Sequence, residues 1–130
     1  MALITWKNEY SVGVAEFDAD HQQLLEIINA LHDAFQADAS SEQLEDICDE
    51  LIAHTIIHFA HEEARFEGYP RAPLHRQMHQ KLKQRVLDYR GEIGTATALD
   101  NAKLITDWLA HHINGEDKTF GAWLNAQGIH

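Results

Sequence analysis

Four stretches of the chain place their apolar residues at alternating intervals of three and four, the spacing that lines one face of an α-helix. The first face carries His21, Leu24, Ile28, Leu31 and Phe35. The second carries Leu44, Cys48, Leu51, Thr55, His58 and Glu62, and the third His75, His79, Leu82, Val86 and Tyr89. The fourth offers Leu104 or Ile105, then Trp108 or Leu109, then His112. Gly (7) and Pro (2) are scarce, so the chain has few turns to spend outside helices. "QADASSEQ", "EGYPRAP" and "RGEIGTAT" supply the breaks. Helices are therefore expected over about 18–37, 41–66, 73–91 and 97–126. Asp18 is placed to cap the first, and Ser40 with Gln43 has the spacing of a capping box for the second. Four amphipathic helices joined by short loops predict an all-α, antiparallel up-down four-helix bundle. Residues 1–17 read as an extended N-terminal arm whose Trp6, Tyr10, Val12, Val14 and Phe17 can cover one flank. With 130 residues, the chain suffices for a single domain, 1–130, with one core.

The stripes are interrupted by groups that do not belong in an apolar interior. "HTIIHFAHEE" (54–63) aims His58 and Glu62 at the core, and burying a lone carboxylate is expensive. The other stripes add His21, His75, His79 and His112. In an up-down bundle the starts of helices one and three lie level with the ends of helices two and four. All six groups then meet at one end of the interior. Residues four apart sit one turn above each other, so His58 with Glu62, and His75 with His79, can each address one small site. Asp117 is five residues past His112, about 140° away on a regular helix. However, "HINGED" contains Asn114 and Gly115, poor helix formers, and a loosened turn there would swing Asp117 inward.

Five imidazoles and two carboxylates make a nitrogen/oxygen metal site. The number exceeds what one tetrahedral zinc needs and suits two transition metals sharing carboxylates. Iron–sulfur and haem are excluded, since Cys48 is the only cysteine and no CxxCH is present. "HEEAR" (61–65) opens like a zinc-protease HExxH but ends in Arg65. His32, His61, His111 and His130 are expected at the surface, and His54 either in the core or supporting a ligand. Phe120 and Trp123 are expected to serve packing. The net charge of −11 argues against nucleic acid and anionic membranes as partners. No transmembrane-length apolar run or signal peptide is evident, and a lone cysteine fits a reducing cytoplasm.

"DADHQQL" (18–24), "HFAHEE" (58–63), "YPRAPLHRQMH" (69–79) and "WLAHHINGEDK" (108–118), with Trp6, Tyr10 and Gly13 in the arm, resemble the hemerythrin family, specifically its short bacterial members. The resemblance covers nearly the whole chain. It implies two iron ions (Fe2+/Fe3+) joined by Glu62, Asp117 and a bridging oxo or hydroxo group. One iron would take His75, His79 and His112. The other would take His21 and His58 and keep an open position where dioxygen binds reversibly. Trp108 and Leu109 would line an apolar oxygen pocket. Asp20 departs from the family, which often has Gln there; its carboxylate is expected either to support a ligand or to face solvent. The interval from Glu62 to Tyr69 is also about two residues shorter than the family's. The expected function is oxygen storage, transport or delivery by a monomeric, cytoplasmic protein that is not an enzyme. A di-iron redox enzyme (peroxide or nitric oxide reduction, ferroxidase) and an oxygen-sensing module are the alternatives.

Overall fold

The computed structural model describes residues 4–130; Met1–Leu3, the first residues of the expected arm, lie outside the described residues. Five helices follow the arm: α1 (Ala15–Gln36), α2 (Ser41–Glu63), α3 (Ala72–Arg90), α4 (Ala98–His112) and α5 (Lys118–Ala126). A π-turn, Ile113–Asp117, joins the last two without a break, so they form one continuous rod and the bundle has four members. α1 packs on α2, α2 on α3, α3 on α4, and α4 back on α1, which is the up-down bundle the stripes predict. None of the described helices is long and apolar enough to cross a membrane.

Local chemistry explains most of the boundaries. Ser40 and Gln43 form the capping box: the Ser40 hydroxyl accepts from the Gln43 amide (3.2 Å), and the Gln43 side chain accepts from the Ser40 amide (3.0 Å). Pro73 sits in the first turn of α3, where its missing N–H costs nothing. Asp18 does not cap α1 as expected. The helix begins three residues earlier, at Ala15 behind extended Val14, which places Phe17 on a helical face, fully buried, rather than in the arm. Asp18 instead fastens the arm: one oxygen accepts from Ser11 Oγ (2.5 Å) and the other from the Val12 amide (2.9 Å). Helix two stops at Glu63, because Phe66 and Tyr69 turn inward in the following loop.

The arm is extended apart from a 3₁₀ turn at Asn8–Tyr10. Ile4 and Asn29 exchange two hydrogen bonds (2.9 and 2.6 Å). The arm crosses α5 at Gly121, where a Cβ would collide with the Val12 carbonyl. Gly13 (φ 81°) then turns it into α1, and its carbonyl accepts from Asn125 at 2.9 Å.

The interior is layered. One layer contains Leu24, Thr55, Leu82 and Leu109, the next Ile28, Leu51, Val86 and Ile105, and the next Leu31, Cys48, Tyr89 and Ala102, each helix giving one residue per turn. On α4 the choice falls on Ile105 and Leu109: Leu104 is 61% exposed and Trp108 is only half-buried. The buried polar groups here are satisfied locally. Thr55 Oγ1 donates to the Leu51 carbonyl (2.7 Å) and the Tyr89 hydroxyl to that of Ala98 (3.0 Å).

Candidate metal centre

Above the layer of Leu24 and Leu109 the apolar interior stops. His21, Glu62 and His75 are fully buried, and His58, His79, His112 and Asp117 are at most 6% exposed. The seven side chains form two groups whose donor atoms lie within 4.8 Å of one another: His75, His79, His112 and Asp117, and His21, His58, Glu62 and Asp117. The antiparallel topology brings them together from four helices, and the π-turn adds the last member. A π-turn takes more residues per revolution than an α-turn. Asp117 therefore comes round to the His112 face, with Oδ1 only 3.1 Å from His112 Nε2.

Both carboxylates straddle the two groups. Asp117 Oδ1 lies 2.9 Å from His75 Nε2, while Oδ2 lies 3.2 Å from His21 Nε2. Glu62 Oε1 lies 2.8 Å from His58 Nε2 and 3.3 Å from His79 Nε2, and Oε2 is 3.7 Å from His75 Nε2. His21 Nε2 and His58 Nε2 face each other at 2.8 Å. Donors held about 2.0–2.2 Å from a common cation stand roughly 3 Å apart, so this crowding is what metal coordination requires.

The electrostatics of the bare cluster are strained. Burial disfavours a charge on His58, yet the Glu62 and Asp20 carboxylates outweigh it and raise its pKa to about 10. Burial, reinforced by Asp117, pushes Glu62 up to about 8. Asp117 is held well below the usual range despite its burial, because His112, His21 and His75 surround it. Burial and the neighbouring His75 drive His79 down to about 2. Four of the donor atoms, Glu62 Oε1 and Oε2, His79 Nε2 and His112 Nε2, have no hydrogen-bond partner among the described residues. Inward-aimed, buried, unpartnered acceptors fit a metal and nothing else in this chain.

Two acids outside the cluster brace it. Asp20, whose alternatives were support or solvent, is half-buried and accepts from His58 Nδ1 at 2.8 Å. Glu63 lies 3.2 Å from His79 Nδ1, a contact that stripe periodicity does not reveal, since Glu63 points off the inner face. Aromatic rings enclose the site. Phe59 stacks on His79 (3.9 Å, 6°), and Phe120 packs edge-on against His75 (5.5 Å). Leu109 is buried one turn before His112. Trp108 lies further out, beneath the Arg85 guanidinium at 4.8 Å.

Of the histidines expected at the surface, His111 and His130 are exposed, while His61 is 40% exposed and bound to Asp20 at 2.8 Å. His32 departs from expectation: it is half-buried on the flank of α1, with Nδ1 shielded and unpartnered. His54 is half-buried too.

A family model described as the hemerythrin HHE cation-binding domain matches residues 12–124. A bacteriohemerythrin of Stenotrophomonas maltophilia is 30% identical across 97% of this chain and 84% of its own length. That of Methylococcus capsulatus is 30% identical across 97% of this chain and all of its own. A solved wild-type hemerythrin superposes with a TM-score of 0.82 at 29% identity, covering 93% of this chain and 97% of that one. The match spans all four bundle helices and both donor groups, and the chain belongs to the hemerythrin family.

Proposed function

We propose that this protein binds dioxygen reversibly at a carboxylate-bridged pair of iron ions, for storage, transport or delivery. One observation carries the reading: five imidazoles are divided three and two around two carboxylates, each of which reaches both groups. His75, His79 and His112 would hold one ion, His21 and His58 the other, with Glu62 and Asp117 between them. Two irons held there would supply two electrons and, on the side with only two histidines, a place for dioxygen. The chain's own contribution is to keep that position dry and apolar. Leu109, Phe17 and Phe120 exclude water from the interior, and Trp108 lines an open pocket beside His112. Buried carboxylates retain their charge once cations replace the protons they would otherwise need.

The reading extends to a cytoplasmic monomer that is a binding protein rather than an enzyme, with no nucleic acid or membrane as partner. A net charge of −11, a single buried thiol and the lack of a flavin, haem or iron–sulfur motif support it.

Metal analysis with absorption spectra of the reduced protein, then in air, then after oxygen removal, tests it. Two irons per chain and a visible band that comes and goes with oxygen are expected. Irons that oxidise on contact, with no lasting oxygen-dependent band, would instead mark a redox enzyme. Glu62→Ala should bring metal content well below two per chain; unchanged metal and oxygen binding would refute the bridging role.

A further inference from the structure

Asp20 precedes His21 in sequence, so on α1 its side chain is turned about 100° from the inner face, toward α2. A single oxygen, Oδ2, meets two imidazoles there: His58 Nδ1 at 2.8 Å and His61 Nδ1 at 2.8 Å. The side chain is 17% exposed, enough shielding for its charge to act strongly on its neighbours. A proton donated from His58 Nδ1 to this oxygen leaves the Nε2 lone pair directed at the cluster, beside His21 Nε2 and Glu62 Oε1.

Three of the other four histidines are braced less well. His21 Nδ1 and His75 Nδ1 have no hydrogen-bond partner among the described residues. His79 Nδ1 has Glu63, but at 3.2 Å, and that carboxylate is also 3.4 Å from the Arg76 guanidinium, which neutralises part of its charge. Glu16, the other acid near His61, is likewise tied to Arg65 at 3.2 Å. Among the described residues, Asp20 has imidazoles alone as side-chain partners. A charged acceptor forms a hydrogen bond roughly twice as strong as a neutral one.

We propose that Asp20 is a positioning residue: through one oxygen it holds His58 in the ligating tautomer and strengthens its donation, compensating the half of the centre that has only two histidines. This rests on the two-metal reading above. An Asn or Gln at this position could accept the same N–H, but without the charge.

Cobalt(II) tests the idea without any oxygen chemistry, because its visible spectrum reports coordination directly. Removing a carboxylate that braces a metal-bound histidine typically lowers metal affinity about 10–100-fold. Asp20→Ala should weaken one of two cobalt equivalents by that factor and change the spectrum of that ion alone. Asp20→Asn, nearly the same shape, should recover part of the affinity by restoring the acceptor without its charge. His61→Asn should bind cobalt like wild type. Equal affinity and spectra in wild type and Asp20→Ala overturn the proposal. So does a His61→Asn loss as large as that of Asp20→Ala, because the contact would then only tie α1 to α2. Wild-type stoichiometry reports separately: fewer than two cobalt ions per chain overturns the two-metal reading, whereas two ions held equally well without Asp20 overturns only this role.

Discussion

At one end of the bundle the inward positions are filled by His21, His58, His79 and His112; seven residues along each helix, about 10 Å away, the equivalent positions hold Ile28, Leu51, Val86 and Ile105. The same four helices run through both levels, and apart from the π-turn after His112 the side chains make the difference. Each apolar group at the second level contributes roughly 1.5–3 kcal/mol on burial, whatever the solution contains. The first level is unfavourable by itself, since imidazoles and carboxylates have been taken from water and crowded together. The apolar end therefore supports folding, and part of that stability holds the polar end in an arrangement that only a cation satisfies.

Removing the metal should be the largest perturbation. Each ion held at a concentration a thousandfold above its Kd adds about 4 kcal/mol. For a chain of this size, loss of two corresponds to a fall in Tm on the order of 30 °C, measurable by calorimetry with and without chelator. A metal-free protein that melts like the loaded one would erase the contrast between the ends. Leu51→Ala attacks the other end. It should cost about 2–5 kcal/mol in loaded and metal-free protein alike, while metal content per chain stays at its wild-type value. Denaturant titrations of both forms check this.

The pH dependence sharpens the comparison. In the metal-free protein, His58 (raised to about 10) and Glu62 (raised to about 8) bind protons more tightly when folded. Their contribution is full at low pH. It is lost for Glu62 as pH rises from its ordinary 4.5 to about 8, and for His58 from 6.5 to about 10. His79, lowered to about 2, has the opposite sign, but its effect is complete above 6.5. Metal binding requires deprotonated ligands and strengthens over the same interval. Between about pH 6.5 and 8 the Tm difference between the two forms should widen by several degrees; a constant difference would mean that the ligand end does not titrate on folding. The smallest effect is expected at Ser40, far from the metal. Ser40→Ala removes half of the capping box, at a cost of about 1 kcal/mol by chemical denaturation, with no change in metal affinity.

Much of this design was legible in the sequence. The stripes place Leu24, Leu51 and Leu82 inside, and the same periodicity carries His21, His58, His75, His79 and His112 inward. The capping box was legible because Ser40 and Gln43 act locally. Contacts between helices were not. Nothing in the spacing tells that Glu63 braces His79 across the α2–α3 interface, or that Asp20 reaches α2. Asp18 looked like a cap because its type and place suit one, but Val14 and Phe17 bury better when the helix starts earlier, and the freed carboxylate anchors the arm. Trp108 and Leu109 are neighbours on the same helix, so periodicity alone left both open; the interior takes Leu109, and the larger ring lies outside under Arg85.

The π-turn at Ile113–Asp117 amounts to one residue out of step. Counting onward from His112 at about 100° per residue, an uninterrupted α-helix would turn Glu116, Thr119 and Trp123 to the interior. With the extra residue, Asp117, Phe120 and Leu124 arrive there instead, and all three are essentially fully buried. The same slip brings Gly121 beneath Val12, the one place where the arm can cross so closely. Winding the same five residues as a regular α-helix would thus be a frame error in three dimensions, whereas deleting Asn114 together with the π-turn would put Asp117 four residues after His112 and keep the register. The regular winding would put Glu116 in place of Asp117 at the metal centre and Thr119 where Phe120 seals the core, and it would present the arm with Phe120 in place of Gly121.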